Sequence, residues 1–521
     1  MPPIQTARRH RHQPRNHDHI LTAAVLAVLA VSVPAQQRFA ELTPQLPVDP
    51  AGALSVAMGD VDADGDLDMV CGQIGRTTLY LNDGHGRFSD VTASQMPPGT
   101  GWGNAIALGD IDGDGDLDIA EAVNGQNRLM LNDGSGTFLN VTATHMPASP
   151  WSLTEDVVLG DIDGDGDLDL VFAENGYTCG PYPTLIHRND GNGVFTNLGA
   201  PQLPLTNGLT EAVAFGDVDG DGDLDLICGN RSFNYFPYQA SCAQDRLYLN
   251  DGVGTFSEVT TTHLPASSNS QTYWIELADF DGDGDLDVAS GSGLSRLYEN
   301  NGLGVFVDVT ATNFPAGVCG FVSAHGDVDG DGDLDLVLGG GGCQSRLLLN
   351  DGSGHFADTT AVTVPAGEVA YGMALADVDG DGDLDLAATY LPSLVPTAQN
   401  RLYVNLQRQL DAPTSPQIGQ PYSLDAYLRY GPTSTIDLAA IYLSTAPASI
   451  ASPFGTLGID PALAVPFPTL VIPQPAGIGS VGFTIPNVPG LIGQVIYSQA
   501  MLVAYPNDLR LSNVVRDVIA P

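Results

Sequence analysis

The chain has 521 residues, 43% of them apolar, with 61 Gly and 36 Pro, a composition that suits two to four turn-rich β domains. Its formal charge of −44 comes from 62 acidic against 18 basic residues, and no lysine occurs anywhere. Binding to nucleic acid is disfavoured, because a phosphate backbone needs a basic face.

At the N-terminus Arg8, Arg9, Arg11 and Arg15 precede an apolar run over 20–33, and Val33-Pro34-Ala35 precedes Gln36. That order predicts a secretory signal, residues 1–35, cleaved after Ala35, with an uncleaved anchor as the alternative. The run is about 14 residues, short of the roughly 20 that span a bilayer. No later segment is long enough either, so the mature chain is expected to be secreted or attached to an extracellular surface, with no membrane span. Arg8-Arg9 leaves twin-arginine export open beside the general secretory route.

From Asp60 onward a nine-residue phrase, Asp-x-Asp-x-Asp-Gly-Asp-Leu-Asp, occurs seven times, starting at Asp60, Asp110, Asp161, Asp217, Asp279, Asp327 and Asp377. The starts are 50, 51, 56, 62, 48 and 50 residues apart, the period of an array of supersecondary units. Five carboxylates in nine residues are too many to leave unneutralised in a folded loop. Acids at positions 1, 3 and 5 converge when a glycine at position 6 lets the chain turn sharply, and hard oxygen donors of that kind select calcium. Seven phrases supply 35 of the 62 acids, so the polyanionic charge is largely a set of metal sites.

Each repeat reads as four strands. The first is short and alternating, as at 105–108 and 212–215, and runs into the aspartate phrase; the second leaves it, as at 117–120 and 334–338. The third is Arg-Leu-x-x-Asn, beginning at Arg128, Arg246, Arg296, Arg346 and Arg401. Asn-Asp-Gly follows at Asn82, Asn132, Asn189, Asn250 and Asn350, with Asn-Asn-Gly at Asn300, and marks a tight hairpin. The fourth begins at a Phe and ends near Val-Thr, as at 88–92, 138–142 and 306–310. Four antiparallel strands per unit describe a propeller blade. The seventh unit lacks its fourth strand, while 38–43 matches the fourth strand at 87–92. The expectation is therefore an all-β chain: a seven-bladed β-propeller over 36–406, closed by an N-terminal strand that removes two exposed edges.

An EF-hand fits poorly, since position 12 is Glu only at Glu121. With Asp at position 9 of every copy, the sequence resembles the FG-GAP/VCBS repeat family, best known from the integrin α-chain propeller and seven-bladed calcium-containing lectins, over roughly residues 37–406. The resemblance implies that side chains at positions 1, 3, 5 and 9 ligate calcium at about seven structural sites. These are Asp60, Asp62, Asp64 and Asp68; Asp110, Asp112, Asp114 and Asp118; Asp161, Asp163, Asp165 and Asp169; Asp217, Asp219, Asp221 and Asp225; Asp279, Asp281, Asp283 and Asp287; Asp327, Asp329, Asp331 and Asp335; and Asp377, Asp379, Asp381 and Asp385. It further implies a backbone carbonyl ligand at position 7, from Asp66, Asp116, Asp167, Asp223, Asp285, Asp333 and Asp383. Only Ala63, where the family pattern has Gly, departs from it.

Strand order puts the aspartate loops and the Asn-Asp-Gly turns on one face, and the links between second and third strands and between blades on the other. On that second face the repeats diverge. Trp102, Trp151, Glu155, Glu211, Tyr235, Tyr273, Trp274, Phe321 and Tyr371 are the candidate ligand-binding residues, because planar rings stack on sugars or apolar side chains while polar groups fix orientation. The alternative is that these rings cover apolar rims between blades. The leading expectation is an extracellular recognition or adhesion module for a glycan or cell-surface protein. The alternative class is a secreted carbohydrate-active enzyme, with Glu155 and Glu211 as its carboxylate pair. No catalytic residue is assigned, and His325, in a position usually apolar, reads as a satisfied buried histidine.

Among six cysteines, Cys319 and Cys343 flank one phrase and are placed to close a repeat; Cys242 is compatible with Cys179 or with Cys228; Cys71 and Cys228 otherwise read as buried free thiols. After Asn405 the phrases cease, and short Pro-bounded apolar runs over 411–521 suggest a separate β-sandwich-like domain.

Overall fold

The computed structural model describes residues 39–41, 43–49, 51–84, 86–99, 101–149, 152–174, 184–197, 203, 209–231, 244–266, 271–291, 293–329, 331–340, 344–359, 370–379, 383–390, 399–405, 410–411, 420–427, 436–444, 447–452, 455–459, 465–466, 470–473, 478–484, 494–504 and 508–519. The expected secretory signal, residues 1–35, lies outside them. The chain divides into two compact units, one spanning Gln37–Arg408 and the other including Gln409–Pro521.

The larger unit is mostly β, with several four-stranded antiparallel sheets consistent with propeller blades. In repeat 1 the strands Ser55–Gly59, Asp68–Gln73, Arg76–Asn82 and Phe88–Asp90 pair in chain order. Repeat 4 (Leu209–Gly216, Asp225–Arg231, Arg246–Asn250, Phe256–Glu258), repeat 5 (Trp274–Ala278, Asp287–Gly291, Arg296–Glu299, Val307–Asp308) and repeat 6 (Val322–Gly326, Asp335–Gly339, Arg346–Asn350, Phe356–Asp358) do the same. Repeat 7 supplies Ala370–Ala376, Asp385–Tyr390 and Arg401–Asn405. Its fourth strand is Phe39–Glu41, antiparallel to the third, with Phe39 opposite Asn405 and Glu41 opposite Tyr403.

Repeats 2 and 3 depart from the expected separate blades. Their long strands Asp118–Gly125 and Ser152–Gly160 meet where Ser152 and Leu153 pair with Gly125 and Asn124, which fuses the two into one eight-stranded sheet. A second departure follows the fourth strand. At Val91-Thr92 the Val91 N–H still reaches the Leu79 carbonyl, but the Leu79 N–H goes to Thr92 Oγ1. The side chain takes the place of a backbone acceptor, ending the ladder, and one helical turn, Thr92–Gln95, begins there. Thr142, Thr260 and Thr310 accept from Leu129, Leu247 and Leu297 in the same way.

Burial explains the apolar alternation. Second strands such as Asp68–Gln73 and Asp169–Glu174 are buried along their whole length, because each sheet is covered on both faces by its neighbours. Val61, Val70 and Leu79 of repeat 1 pack with Ile119, Met130 and Phe138 of repeat 2. On the other side Met69 and Tyr80 pack with Val378 and Leu402 of repeat 7. Phe39 is 1% exposed and lies in a cluster with Val337, Leu386 and Tyr403. Burying a Phe side chain is worth roughly 1.5–3 kcal/mol.

Cys71 and Cys228 are free and buried, so the pairing of Cys228 with Cys242 is corrected: burial among apolar neighbours, which also pushes the Cys228 thiol up to about 12, leaves it no partner sulfur. Cys319 is disulfide-bonded, and Cys343 lies outside the described residues. His325 is satisfied as expected, its Nδ1 3.0 Å from Glu276 Oε2, and this carboxylate bond raises its pKa despite partial burial.

The smaller unit is β throughout its described residues. Pro421–Tyr427 lies between Leu410–Asp411 and Ile478–Thr484; Ile436–Ser444 pairs with Val465–Pro466, Leu470–Pro473 and Val495–Ala504, the last also with Asp508–Val518; and Pro447–Ser452 pairs with Gly455–Ile459. No helix among the described residues is long and apolar enough to cross a membrane.

Candidate functional site

Each aspartate loop is built around its position-9 carboxylate, which opens the second strand and is almost wholly buried. One oxygen accepts the N–H of position 2 of the same phrase, as Asp68 Oδ2 does from Val61 at 3.0 Å; the other accepts the N–H of the third-strand Asn, as Asp68 Oδ1 does from Asn82 at 2.8 Å. Both bonds recur in every repeat, at Asp118, Asp169, Asp225, Asp287, Asp335 and Asp385. The same Asn then reaches the neighbouring repeat. Asn132 Nδ2 donates to the Val61 carbonyl at 2.7 Å, and Asn189, Asn250, Asn300, Asn350 and Asn405 donate to position 2 of the phrase before their own.

Position 1 shapes the turn: Asp60 Oδ1 accepts the Asp64 N–H and Oδ2 the N–H of Gly65, whose φ of 96° only glycine adopts freely. Ala63, with φ at 60°, adopts the same left-handed region despite its Cβ. Position 3 lies at the joint between repeats; a Cβ on Gly136 of repeat 2 would lie 3.3 Å from Asp62 Cβ. Position 5 is the outermost of the set, and its carboxylate stands beside that of position 3. Asp64 is exposed and its Oδ1 accepts the Asp66 N–H. One oxygen from each of positions 1, 3 and 9 lies within 4.8 Å of the others in Asp60/Asp62/Asp68, Asp110/Asp112/Asp118, Asp161/Asp163/Asp169, Asp217/Asp219/Asp225 and Asp279/Asp281/Asp287, and two further groups gather in the same way. Asp381 lies outside the described residues. The position-7 side chain covers the Asn-Asp-Gly turn: a Cβ on Gly84 would fall 2.6 Å from the Asp66 carboxylate, and Gly134, Gly191, Gly252, Gly302 and Gly352 are crowded likewise by their own position-7 Asp.

Crowding without a counter-charge is visible in the proton affinities. Burial, reinforced by the position-3 and position-5 carboxylates, pushes Asp68, Asp118, Asp287 and Asp335 up to about 7, and Asp169 and Asp225 to about 6. Asp62, Asp112 and Asp219 are raised for the same reasons.

The divergent face gathers part of the candidate set. Glu211 is buried and pairs with Arg231 at 2.7 Å. Arg231 in turn stands 5.6 Å from the centre of the Tyr273 ring, and Tyr273 packs on Phe321 with centroids 4.5 Å apart. Burial and the charge of Glu155 lift Glu211 to about 8, against the pull of Arg231. Four expected residues, Glu155, Glu211, Tyr273 and Phe321, thus meet across repeats 3 to 6. Trp274 does not join them. It is 5% exposed, its Nε1 donates to the Gly320 carbonyl at 3.0 Å, and its ring covers Gly291 on the paired strand, so the expected exposed ring is corrected to a core residue. Trp102 is 51% exposed and bridges to Ile74 of repeat 1, and Tyr371 is half-buried. Trp151 and Tyr235 lie outside the described residues.

A signature described as FG-GAP-like repeat matches five times, over residues 60–121, 118–172, 177–228, 238–290 and 327–388. The chain belongs to the FG-GAP-like repeat family. No curated protein matches its sequence. Among solved structures it is similar to a chain of the Photorhabdus luminescens Tc holotoxin pore carrying the TccC3-D651A mutation, at 17% identity and a TM-score of 0.32. That similarity covers 68% of this chain and 18% of the other, so the present chain matches only a small part of its length.

The aspartate loops of these FG-GAP-like units fit a hard cation. Their donors are all oxygen, and Oδ1 of Asp62 and of Asp112 is buried without accepting a hydrogen bond among the described residues. A buried carboxylate oxygen lacking a partner is costly, and a cation between positions 1, 3 and 9 would remove that cost. Two arginines were not legible as site residues beforehand. Arg231 ends a second strand in the register of the candidate rim, and an arginine there was the available signal. Arg188 stands one residue before Asn189 and reaches the third aspartate loop.

Proposed function

We propose that this chain is a secreted or surface-attached, calcium-stabilised seven-bladed β-propeller, followed by a β-sandwich-like domain, that recognises a glycan or a cell-surface protein. Closure by Phe39–Glu41 is supported by its pairing with the seventh repeat and by the packing of Met69 and Tyr80 against Val378 and Leu402. Calcium is the cation that all-oxygen sets from an acidic loop select, and extracellular modules of this kind typically bind it at about 10⁻⁴ to 10⁻³ M. In this reading the seven ions fasten the blades and the recognition surface lies opposite them.

The observation that carries the recognition reading is the Glu211–Arg231–Tyr273–Phe321 chain of contacts. It sets an aromatic pair beside the fixed Glu211–Arg231 contact, a combination that stacks on a sugar ring or an apolar side chain and orients its polar groups. Screening the mature protein on a glycan array with and without calcium tests it. Reversible binding lost in Tyr273→Ala supports the reading, and binding unchanged in Tyr273→Ala and Phe321→Ala moves the surface elsewhere.

One observation favours a second reading. Glu211, raised to about 8 beside Glu155, has the protonation expected of a general acid facing a second carboxylate. Release of reducing ends or unsaturated products from a bound polysaccharide would identify a carbohydrate-active enzyme; a bound glycan recovered intact would identify a lectin-like or adhesion module.

A further inference from the structure

Besides Ala63 in the first, the seven aspartate loops differ in the side chain that precedes the third-strand Asn. In six repeats the residue before the third-strand Asn is apolar or acidic: Leu81, Leu131, Leu249, Glu299, Leu349 and Val404. There Leu81 and Leu131 point toward the turn of the following repeat, close to Gly136 and Gly193. Repeat 3 has Arg188 instead, and its guanidinium folds back over its own loop. Nε contacts Asp163 Oδ2 at position 3, and an Nη donates to Asp165 Oδ2 at position 5, 3.2 Å away. The Asp163 side chain is 4% exposed, so this cation sits on a carboxylate sheltered from water, whereas the surface pairs Arg296–Asp308 and Arg346–Asp358 join partly exposed side chains on adjacent strands.

We propose that Arg188 is a built-in counter-cation for the third aspartate loop, making it the weakest calcium site of the seven. The proposal rests on the calcium reading above. Positions 1, 3 and 9 converge in this loop as in the others, through Asp161, Asp163 and Asp169, so the donors are in place. The available charge differs. Calcium affinity in oxygen cages follows the ligand charge count, and a guanidinium held on Asp163 and Asp165 withdraws one full charge from the cage and must swing aside before Asp163 can turn to an ion. Arg188 is 43% exposed at its side chain and has room to do so, which makes the site weak rather than abolished.

The test is a calcium titration by calorimetry on the full mature chain after chelator stripping, read as the number and affinity of sites. The wild-type protein is expected to take up six ions in one class and a seventh about tenfold more weakly, in keeping with one lost ligand charge. Arg188→Leu, which restores the side chain of repeats 1, 2, 4 and 6, is expected to give seven sites in the tight class. Arg188→Gln, which keeps length and hydrogen bonding but removes charge, should do the same, and covers the case in which Leu perturbs folding. Asp112→Asn should reduce the tight class from six to five, while Asp163→Asn should leave it at six. Seven equivalent sites in the wild type, or a tight class that stays at six in both Arg188 variants, would overturn the proposal. No calcium uptake by any form would instead overturn the calcium reading beneath it.

Discussion

Asn82 Nδ2 donates to the carbonyl of Val378 at 2.8 Å, joining the first repeat to the seventh across 296 residues of sequence. The bond is the same one that joins every other repeat to the phrase before it. Val378 N–H in turn meets Asp385, Asp385 meets Asn405, and Asn405 meets Val328, so the hydrogen-bonded path runs through each position-9 aspartate and returns to Asp68. Asn82→Ala removes one of two donors to the buried Val378 carbonyl, the Gly86 N–H being the other, at a cost of about 0.5–1.5 kcal/mol. The expected result is a lower denaturation midpoint, equal within error to that of Asn250→Ala, which breaks the same bond inside the array. A midpoint unmoved in Asn82→Ala alone would mean that the first and last repeats separate in solution.

Phe39 tests the proposed closure through packing. It is almost fully buried among Val337, Leu386 and Tyr403, and truncating a buried Phe costs about 3–5 kcal/mol. Phe39→Ala should therefore lower the midpoint strongly, and a synthetic peptide carrying residues 36–43 should restore part of it in a chain that lacks them. Retained stability in Phe39→Ala would show that the strand is dispensable.

The chelation response follows from the carboxylate groups. On the proposed calcium reading, removing the ions leaves several like charges within a few ångströms in each loop, which disfavours the folded hairpin. The melting temperature is expected to fall markedly in excess EGTA and to recover on adding calcium back. An unchanged melting curve after exhaustive chelation would sink the structural role of the ions.

Acidity should act on the two forms in opposite directions. In the ion-free protein Asp68 and Asp118 are raised to about 7 and Asp169 and Asp225 to about 6, while in the unfolded chain an aspartate titrates near 3.9. Between those values the folded ion-free state holds more protons than the unfolded one, so its stability falls as pH rises from about 4 to about 7. Calcium must displace those protons, so its affinity rises over the same window. Melting curves at pH 5 and 7.5 with EGTA, beside calcium titrations at both pH values, check the sign; an ion-free protein more stable at pH 7.5 would contradict it.

The repeat count, the strand order and the missing fourth strand of the seventh unit were all legible because each is written as a fixed spacing around Asp and Asn. Side-chain direction was legible less evenly. Positions 1, 3 and 9 converge, while Asp64 at position 5 also accepts the Asp66 N–H and is the most exposed of the four, a difference invisible in a row of identical residues. The fusion of repeats 2 and 3 depends on two extra pairings at the end of a long strand, and the helical turn after Val-Thr depends on a threonine hydroxyl substituting for a carbonyl. Both are local hydrogen-bond choices without a periodic signal.

Trp274 and Tyr273 are adjacent in sequence and separate in role, which yields the last prediction. Trp274 covers Gly291 across the strand pair, where any side chain would collide with the indole, and its Nε1 holds the Gly320 carbonyl. Tyr273 lies on Phe321 and under Arg231, half-buried. Trp274→Ala empties a core site and should cost about 3–5 kcal/mol of stability. Tyr273→Ala removes one ring from a half-exposed pair and should shift the midpoint by no more than about 1 kcal/mol, while weakening ligand binding where the rim cluster forms the surface. Denaturation and glycan-binding measurements on both variants separate the two: loss of binding in Tyr273→Ala at native stability assigns the rim to recognition, whereas a large stability loss there would return both aromatics to the core.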